Sequence, residues 1–228
     1  MISKKNYLLT FLLLMLLGNN LVVKAQNPDL RLRLYGKLQK EITQNLDIDL
    51  EYEHRFDKYI TSFEKAFFEP SISYSFNKNL RLGASYRLAL NQNNSRQRKL
   101  QSRSSAYFQY RFEIDDFRFR FRTTMQYGFD DLSGASDYMN NKLVSRNSVQ
   151  IDYDWFGTKF RPYAKYEFFT HLNHQQGTII NQQRMSLGSS YKISKALSVD
   201  AFYMFENEMN IVAPVNAHIF GAGIEYSF

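Results

Sequence analysis

Apolar and polar residues alternate one for one through most of this chain, and the polar set is heavily charged. In residues 46–56 the apolar set is Leu46, Ile48, Leu50 and Tyr52, with Asp47, Asp49, Glu51, Glu53 and Arg55 between them. In residues 117–127 Phe117, Phe119, Phe121 and Met125 alternate with Arg118, Arg120, Arg122 and Gln126. A period of two is that of an extended strand, whose successive side chains point to opposite faces. A helix would scatter both sets around its circumference. The pattern therefore predicts an all-β chain with one greasy face and one charged face.

The alternation marks eleven candidate strands, at 30–39, 46–56, 65–76, 80–90, 105–114, 117–127, 144–155, 159–170, 184–193, 197–206 and 217–228. Most run ten to twelve residues, longer than the usual globular strand of about five or six and close to the roughly 9–11 residues a tilted strand needs to cross a bilayer. Sorted into faces, the apolar set continues through Leu82, Leu88, Phe108, Tyr110, Val149, Ile151, Tyr166, Val199 and Tyr203, with no Lys, Arg, Asp or Glu. The opposite set carries Arg81, Arg87, Arg111, Asp152, Asp154, Arg161, Lys165, Glu167 and Glu206.

Short connections at 43–45, 77–79, 115–116, 157–159 and 194–196 alternate with longer polar segments at 57–64, 91–104, 128–143, 171–183 and 207–216. Short periplasmic turns and longer extracellular loops are the asymmetry of outer-membrane barrels. Tyr153, Trp155, Phe76, Phe112 and Phe117 sit beside short turns, as an aromatic girdle would. These features predict a single-domain, transmembrane, antiparallel up-and-down β-barrel of 10–12 strands.

Residues 1–25 read as a signal peptide, with Lys4 and Lys5, an apolar run, and Ala25 before Gln26. The barrel domain then spans 26–228, and the net charge of +7 falls to +4 without Lys4, Lys5 and Lys24. The mean hydropathy of −0.46 is that of a water-soluble chain, but lumen-facing residues dilute hydropathy in membrane barrels, so it decides nothing alone. The absence of cysteine excludes disulfides and thiolate metal sites. Without a basic helix, zinc spacing or phosphate loop, nucleic acid is not an expected partner. No cofactor and no metal are expected.

The final segment, "FGAGIEYSF", places Phe220, Ala222, Ile224, Tyr226 and Phe228 on one face. A closed barrel must pair its last strand with its first, because an open edge in lipid leaves backbone groups unsatisfied. The segment resembles the C-terminal assembly signal of bacterial outer-membrane proteins. That resemblance makes Phe220, Ile224, Tyr226 and Phe228 the residues read by the outer-membrane assembly machinery. The mature chain is also similar to a family of small, uncharacterised outer-membrane barrels of Bacteroidota, known as a domain of unknown function. The likeness lies in "LRLRLYGKLQKEITQNLDIDLEYEHRFD", "LRLGASYRLAL", "FRFRFRTTMQYGF" and the terminal "YSF", and it implies a fold and a location in the outer membrane but no activity.

Eleven is an odd count, and bacterial single-chain barrels are usually even. Either residues 30–39 fold otherwise and ten strands close, or a further strand exists. Direct closure would be parallel. Pro70 and Pro162 should mark bulges or strand ends.

Two sets of residues could carry function. Asp47, Asp49, Glu51, Glu53, Arg81, Arg87, Arg111, Arg118, Arg120, Arg122, Asp152 and Asp154 form a lumen charge cluster. It is either an ion-pair network that fills a narrow barrel or an anion-selecting constriction. His54, His171, His174 and His218 fall toward the long-loop end as an outer-face cluster. They are the candidates if the barrel is an enzyme acting on lipid or lipopolysaccharide, although no nucleophile stands at a recognisable spacing. The basic segment 91–104 could meet anionic lipopolysaccharide. The leading expectation is a non-enzymatic barrel with the lipid bilayer and lipopolysaccharide as partners: a narrow porin-like or plugged pore, or a structural and surface-interaction protein. A soluble periplasmic β-barrel binding protein is the remaining alternative. The sequence leaves the oligomeric state unknown.

Overall fold

The computed structural model describes residues 28–92, 97–129, 141–174, 177–211 and 214–228. Residues 1–25, read as a signal peptide, lie outside the described residues. Eleven strands form one closed barrel: β1 (Asp29–Thr43), β2 (Leu46–Asp57), β3 (Ser62–Ser75), β4 (Leu80–Gln92), β5 (Arg98–Ile114), β6 (Phe117–Phe129), β7 (Asn141–Tyr153), β8 (Phe160–His174), β9 (Gly177–Lys192), β10 (Leu197–Glu208) and β11 (Asn216–Ser227). Each strand pairs antiparallel with its neighbours in sequence. The exception is the seam, where β1 and β11 run parallel from Asp29↔Ala217 to Gln39↔Ser227.

The seam resolves the odd count. In an up-and-down meander of eleven strands the first and last necessarily run the same way. Neither a ten-strand closure nor a further strand occurs among the described residues: residues 29–43 are a full member of the wall. The chain end is held on both sides, since Ser227 N–H donates to the Ala196 carbonyl (2.8 Å) and Phe228 N–H to that of Gln39 (3.0 Å).

The strands reach further than expected at the long-loop end. Residues 98–104, read as part of a basic loop, belong to β5, and residues 177–183 belong to β9. The expected loop at 57–64 shrinks to a turn at 58–61, in which Lys58, Tyr59 and Ile60 adopt φ of 50°, 58° and 67°. The physical reason is that alternation is visible only where one face is apolar. Beyond the apolar band both faces of a strand can be polar, and the boundary vanishes from the sequence. Pro162 lies within β8, in register with Ser189, and one residue past the last β7–β8 pair, Asp152↔Tyr163, so it ends the ladder on one side only. Pro70 makes no bulge. It pairs with Leu50, and the β3–β4 ladder skips from Phe68↔Leu88 to Ser71↔Ser85 without a change of register.

The wall is inside out. Leu50, Phe68, Ile72, Leu88, Phe108, Phe121, Leu187, Phe220 and Ile224 are exposed on its outer surface, whereas the most buried large side chains are Phe67, Ile219 and Glu167. A water-soluble barrel would bury the first set. Trp155, Phe76, Phe160 and Phe228 are exposed near the short turns, Phe112 stacks on Phe119 at 5.0 Å, and Phe117 meets Tyr153 at 5.0 Å.

The inner wall uses glycine to seat aromatic rings. A Cβ on Gly221 would lie 2.0 Å from the Phe202 ring, and one on Gly223 would lie 2.2 Å from that of Tyr35. Gly83 and Gly188 receive Tyr107 and Tyr163 in the same way. Each ring therefore lies against the backbone of a neighbouring strand, in space that a side chain there would take.

Candidate functional site

Eleven of the twelve lumen-cluster residues take inward positions on the strands, Asp154 lies just past β7 with a half-exposed side chain, and their partners decide what they can do. Toward the short-turn end, Asp47 pairs with Arg81 at 2.8 Å and Asp49 with Lys37 at 3.4 Å. Asp152 accepts Nη2 of Arg120 at 2.8 Å, and its second oxygen accepts Nε at 3.2 Å. Arg122 donates Nε to Gln109 at 3.0 Å and lies over the Tyr107 ring at 4.3 Å. Arg118 bridges Glu113 (2.7 Å) and Asp154 (3.6 Å), and Asp154 also holds Arg161 at 2.7 Å. Arg111 donates to the Lys78 carbonyl at 2.7 Å. Arg118 and Arg120 are thus matched by carboxylates, whereas Arg111 and Arg122 are held by neutral acceptors.

A denser layer of charge lines the inner wall toward the long-loop end. Glu206, 2% exposed, accepts Arg184 at 2.7 Å, Arg33 at 3.1 Å and Arg31 at 3.2 Å. Glu167, 1% exposed, takes Arg146 at 2.7 Å and Lys165 at 2.8 Å. Phe169 joins these two centres, with Arg184 at 4.6 Å and Arg146 at 5.3 Å from its ring. Across the lumen Glu53 pairs with Arg55, and Glu69 pairs with Arg87 and, at 3.5 Å, with Arg103. Phe67 joins this second pair of centres, with Arg87 at 3.4 Å and Arg55 at 5.3 Å. Guanidinium over an aromatic face is attractive, and more so when desolvated. Each buried carboxylate here is surrounded by cations, the condition under which buried charge is tolerated.

Several members of this layer are absent from the sequence-derived cluster: Arg33, Glu69, Arg103, Arg146 and Arg184, with Phe67 and Phe169. The charged ones follow the period-two phase of their strands, and all but Arg103, which lies in the unread extension of β5, were within reach of that rule. Phe67 and Phe169 were not, because each belongs to a Phe–Phe doublet whose other member, Phe68 or Phe168, takes the opposite face.

The histidines do not form one cluster. His54 and His218 flank β1, in register with Leu34 and Leu30. His54 meets the Tyr52 hydroxyl at 3.2 Å, and His218 meets that of Tyr203 at 2.6 Å. His171 and His174 lie on β8, ring centroids 5.3 Å apart, with β9 and β10 between them and β11. Among the described residues no three His, Cys, Asp or Glu side chains are arranged to hold a metal ion.

Residues 33–213 match the family described as "Protein of unknown function (DUF2490)". No curated protein matches the chain. Among solved structures it is similar to the β-domain of the Bordetella autotransporter Brka, at 14% identity and a TM-score of 0.52, over 82% of this chain and 86% of that one. At that identity the likeness is one of fold: both are β-barrels.

Proposed function

The chain belongs to the DUF2490 family, and we propose that it is a non-enzymatic outer-membrane β-barrel whose own side chains plug its lumen, acting as a structural or surface-interaction protein. The observation that carries this reading is the layer built on Glu206, Glu167, Glu69 and Glu53. It joins ion pairs through Phe67 and Phe169 and leaves Glu167 and Glu206 almost without solvent exposure. An anion-selecting pore needs unmatched cations facing water. Here Arg118 and Arg120 are matched by Glu113, Asp154 and Asp152, and Arg122 and Arg111 are tied to the neutral acceptors of Gln109 and the Lys78 carbonyl.

The membrane location is supported by the exposed apolar exterior, by the aromatic residues near the short turns, and by the likeness to an autotransporter β-domain. On this reading the bilayer surrounds the barrel, the short turns face the periplasm, and the long-loop end meets lipopolysaccharide. The assembly machinery recognises Phe220, Ile224, Tyr226 and Phe228.

Liposome swelling tests the plug. Protein refolded into liposomes, with folding verified by heat-dependent gel mobility, should let small sugars enter no faster than protein-free liposomes do. Swelling that rises with the amount of folded protein would contradict the reading.

A further inference from the structure

At the long-loop end the inner wall of β3 to β7 encloses a cavity of about 180 Å³, lined by Lys65, Arg87, Arg103, Lys142, Gln101 and Gln126 among others. Lys65, Arg87 and Arg103 are cations that line it, Lys142 has a partner of its own, and no carboxylate among the described residues lines it. Glu69, Glu51 and Glu64 are the negative groups within electrostatic reach of Lys65 or Arg87, and all three lie outside the lining.

Two of the cations share one acceptor. Arg87 Nε and Arg103 Nη2 both approach Oε2 of Glu69, whose Oε1 already accepts the Ser85 hydroxyl at 2.8 Å. Arg87 is fixed in place by the Phe67 ring, 3.4 Å below its guanidinium. The Nε of Arg103 is buried without a hydrogen-bond partner. Glu206 and Glu167 each gather several cations, whereas here Arg87 and Arg103 share the single carboxylate of Glu69 and, with Lys65, border open space.

Buried donors and cations without matching acceptors are costly unless an anion completes them. We infer that this cavity is an anion site for a phosphate monoester or inorganic phosphate, held by Arg103, Arg87 and Lys65 with amide donors from Gln101 and Gln126. A tetrahedral oxyanion suits it. Such a group carries about −1.5 to −2 charge at neutral pH and three strong acceptor oxygens, and guanidinium forks match phosphate geometry. The volume admits a phosphoryl group and a few attached atoms, and excludes a whole lipid. The phosphoryl group could therefore belong to a soluble ester or to the headgroup of a lipid at the rim.

The test is calorimetric titration of the full folded barrel in detergent with sodium phosphate, repeated in nanodiscs of phosphatidylcholine alone and with phosphatidic acid. Loss of one charge-assisted hydrogen bond should weaken binding by about tenfold or more. Arg103→Gln and Lys65→Gln should each do so, while Lys195→Gln, in a turn at the opposite end, should stay within about twofold. Lys65→Gln leaves the Glu69 pairs intact, so it guards against a folding defect in Arg103→Gln.

Saturable phosphate binding in detergent that both variants weaken establishes the site for soluble phosphates. If inorganic phosphate fails, unfolding protection given by phosphatidic acid nanodiscs, absent with phosphatidylcholine and lost in both variants, assigns the site to a lipid headgroup. No binding in either setting, or binding that both variants retain, overturns the inference. A conducting lumen would refute the proposed plug and leave this outcome untouched, because the titration does not depend on permeation.

Discussion

Replacing Glu206 with glutamine tests whether the interior layer holds the barrel together. Its Oε2 accepts Arg184 and Arg33, and its Oε1 accepts Arg31. Arg31 keeps Asp29 at 2.8 Å, but Arg33 and Arg184 make no other ion pair among the described residues. The side chains of Arg33 and Arg184 are only 5% and 12% exposed, so water cannot substitute freely. Glutamine preserves the shape but turns a donor toward a guanidinium and removes the compensating charge. Removing one partner of a buried ion pair costs about 3–5 kcal/mol. With a urea dependence of about 2 kcal/mol per molar, the unfolding midpoint should fall by roughly 1.5–2.5 M. Trp155, the single tryptophan, is exposed near the short turns and reports unfolding from lipid vesicles by fluorescence, alongside the heat-dependent gel shift. Adding Arg184→Met should recover part of the loss, as expected for directly coupled residues. A midpoint within about 0.3 M of the parent would mean that these charges are solvated, and the argument for a desolvated plug would fail.

Other positions give independent checks. Gly221→Ala places a methyl against the Phe202 ring and should cost about 1–3 kcal/mol in the same unfolding assay, whereas Gly36→Ala meets nothing within 4 Å and should be neutral. Because the chain has no cysteine, Leu34→Cys with Ala222→Cys, register partners across the parallel seam, should form a disulfide on oxidation. Leu34→Cys with Ile224→Cys should cross-link far less. Deleting Phe228 removes the end of the proposed assembly signal and the backbone bond to Gln39, so the protein should accumulate unassembled in cells, seen as loss of the heat-shiftable band. His171→Ala with His174→Ala should leave folding and lipid turnover unchanged, measured by gel shift and by release of labelled fatty acid from vesicles.

The wall was legible in the sequence because its rule is local. Alternation at Leu46–Arg55 or Phe117–Tyr127 is set by two environments, one on each side of a strand, and needs no knowledge of neighbouring strands. The seam follows from counting the strands, although the expectation of an even barrel obscured it. The strand extensions at 98–104 and 177–183 were not legible, since Leu100 alone and the adjacent Ile179 and Ile180 set no period-two alternation among otherwise polar residues. Nor was the pairing inside the lumen. Which arginine reaches Glu206 depends on β1, β9 and β10 meeting across the seam, a fact of closure that no single segment encodes. The same holds for Phe67 and Phe169, whose inward turn is fixed by register within doublets that fit either phase. The histidines looked like neighbours because they share one end of the barrel. Their separation around its circumference follows from strand order.

The central claim is that this barrel spans a membrane and is closed by its own ion pairs. Single-channel recording from protein folded in detergent and inserted into a planar bilayer tests it most directly, with insertion confirmed by the heat-dependent gel shift of the recovered protein. The account predicts a folded, inserted barrel with no steady conductance, and stepwise currents once Glu206→Gln or Glu167→Gln loosens the layer. Steady ohmic steps from the unaltered protein, with anion selectivity lost on neutralising Arg118, Arg120 and Arg122, would show an open lumen and contradict it.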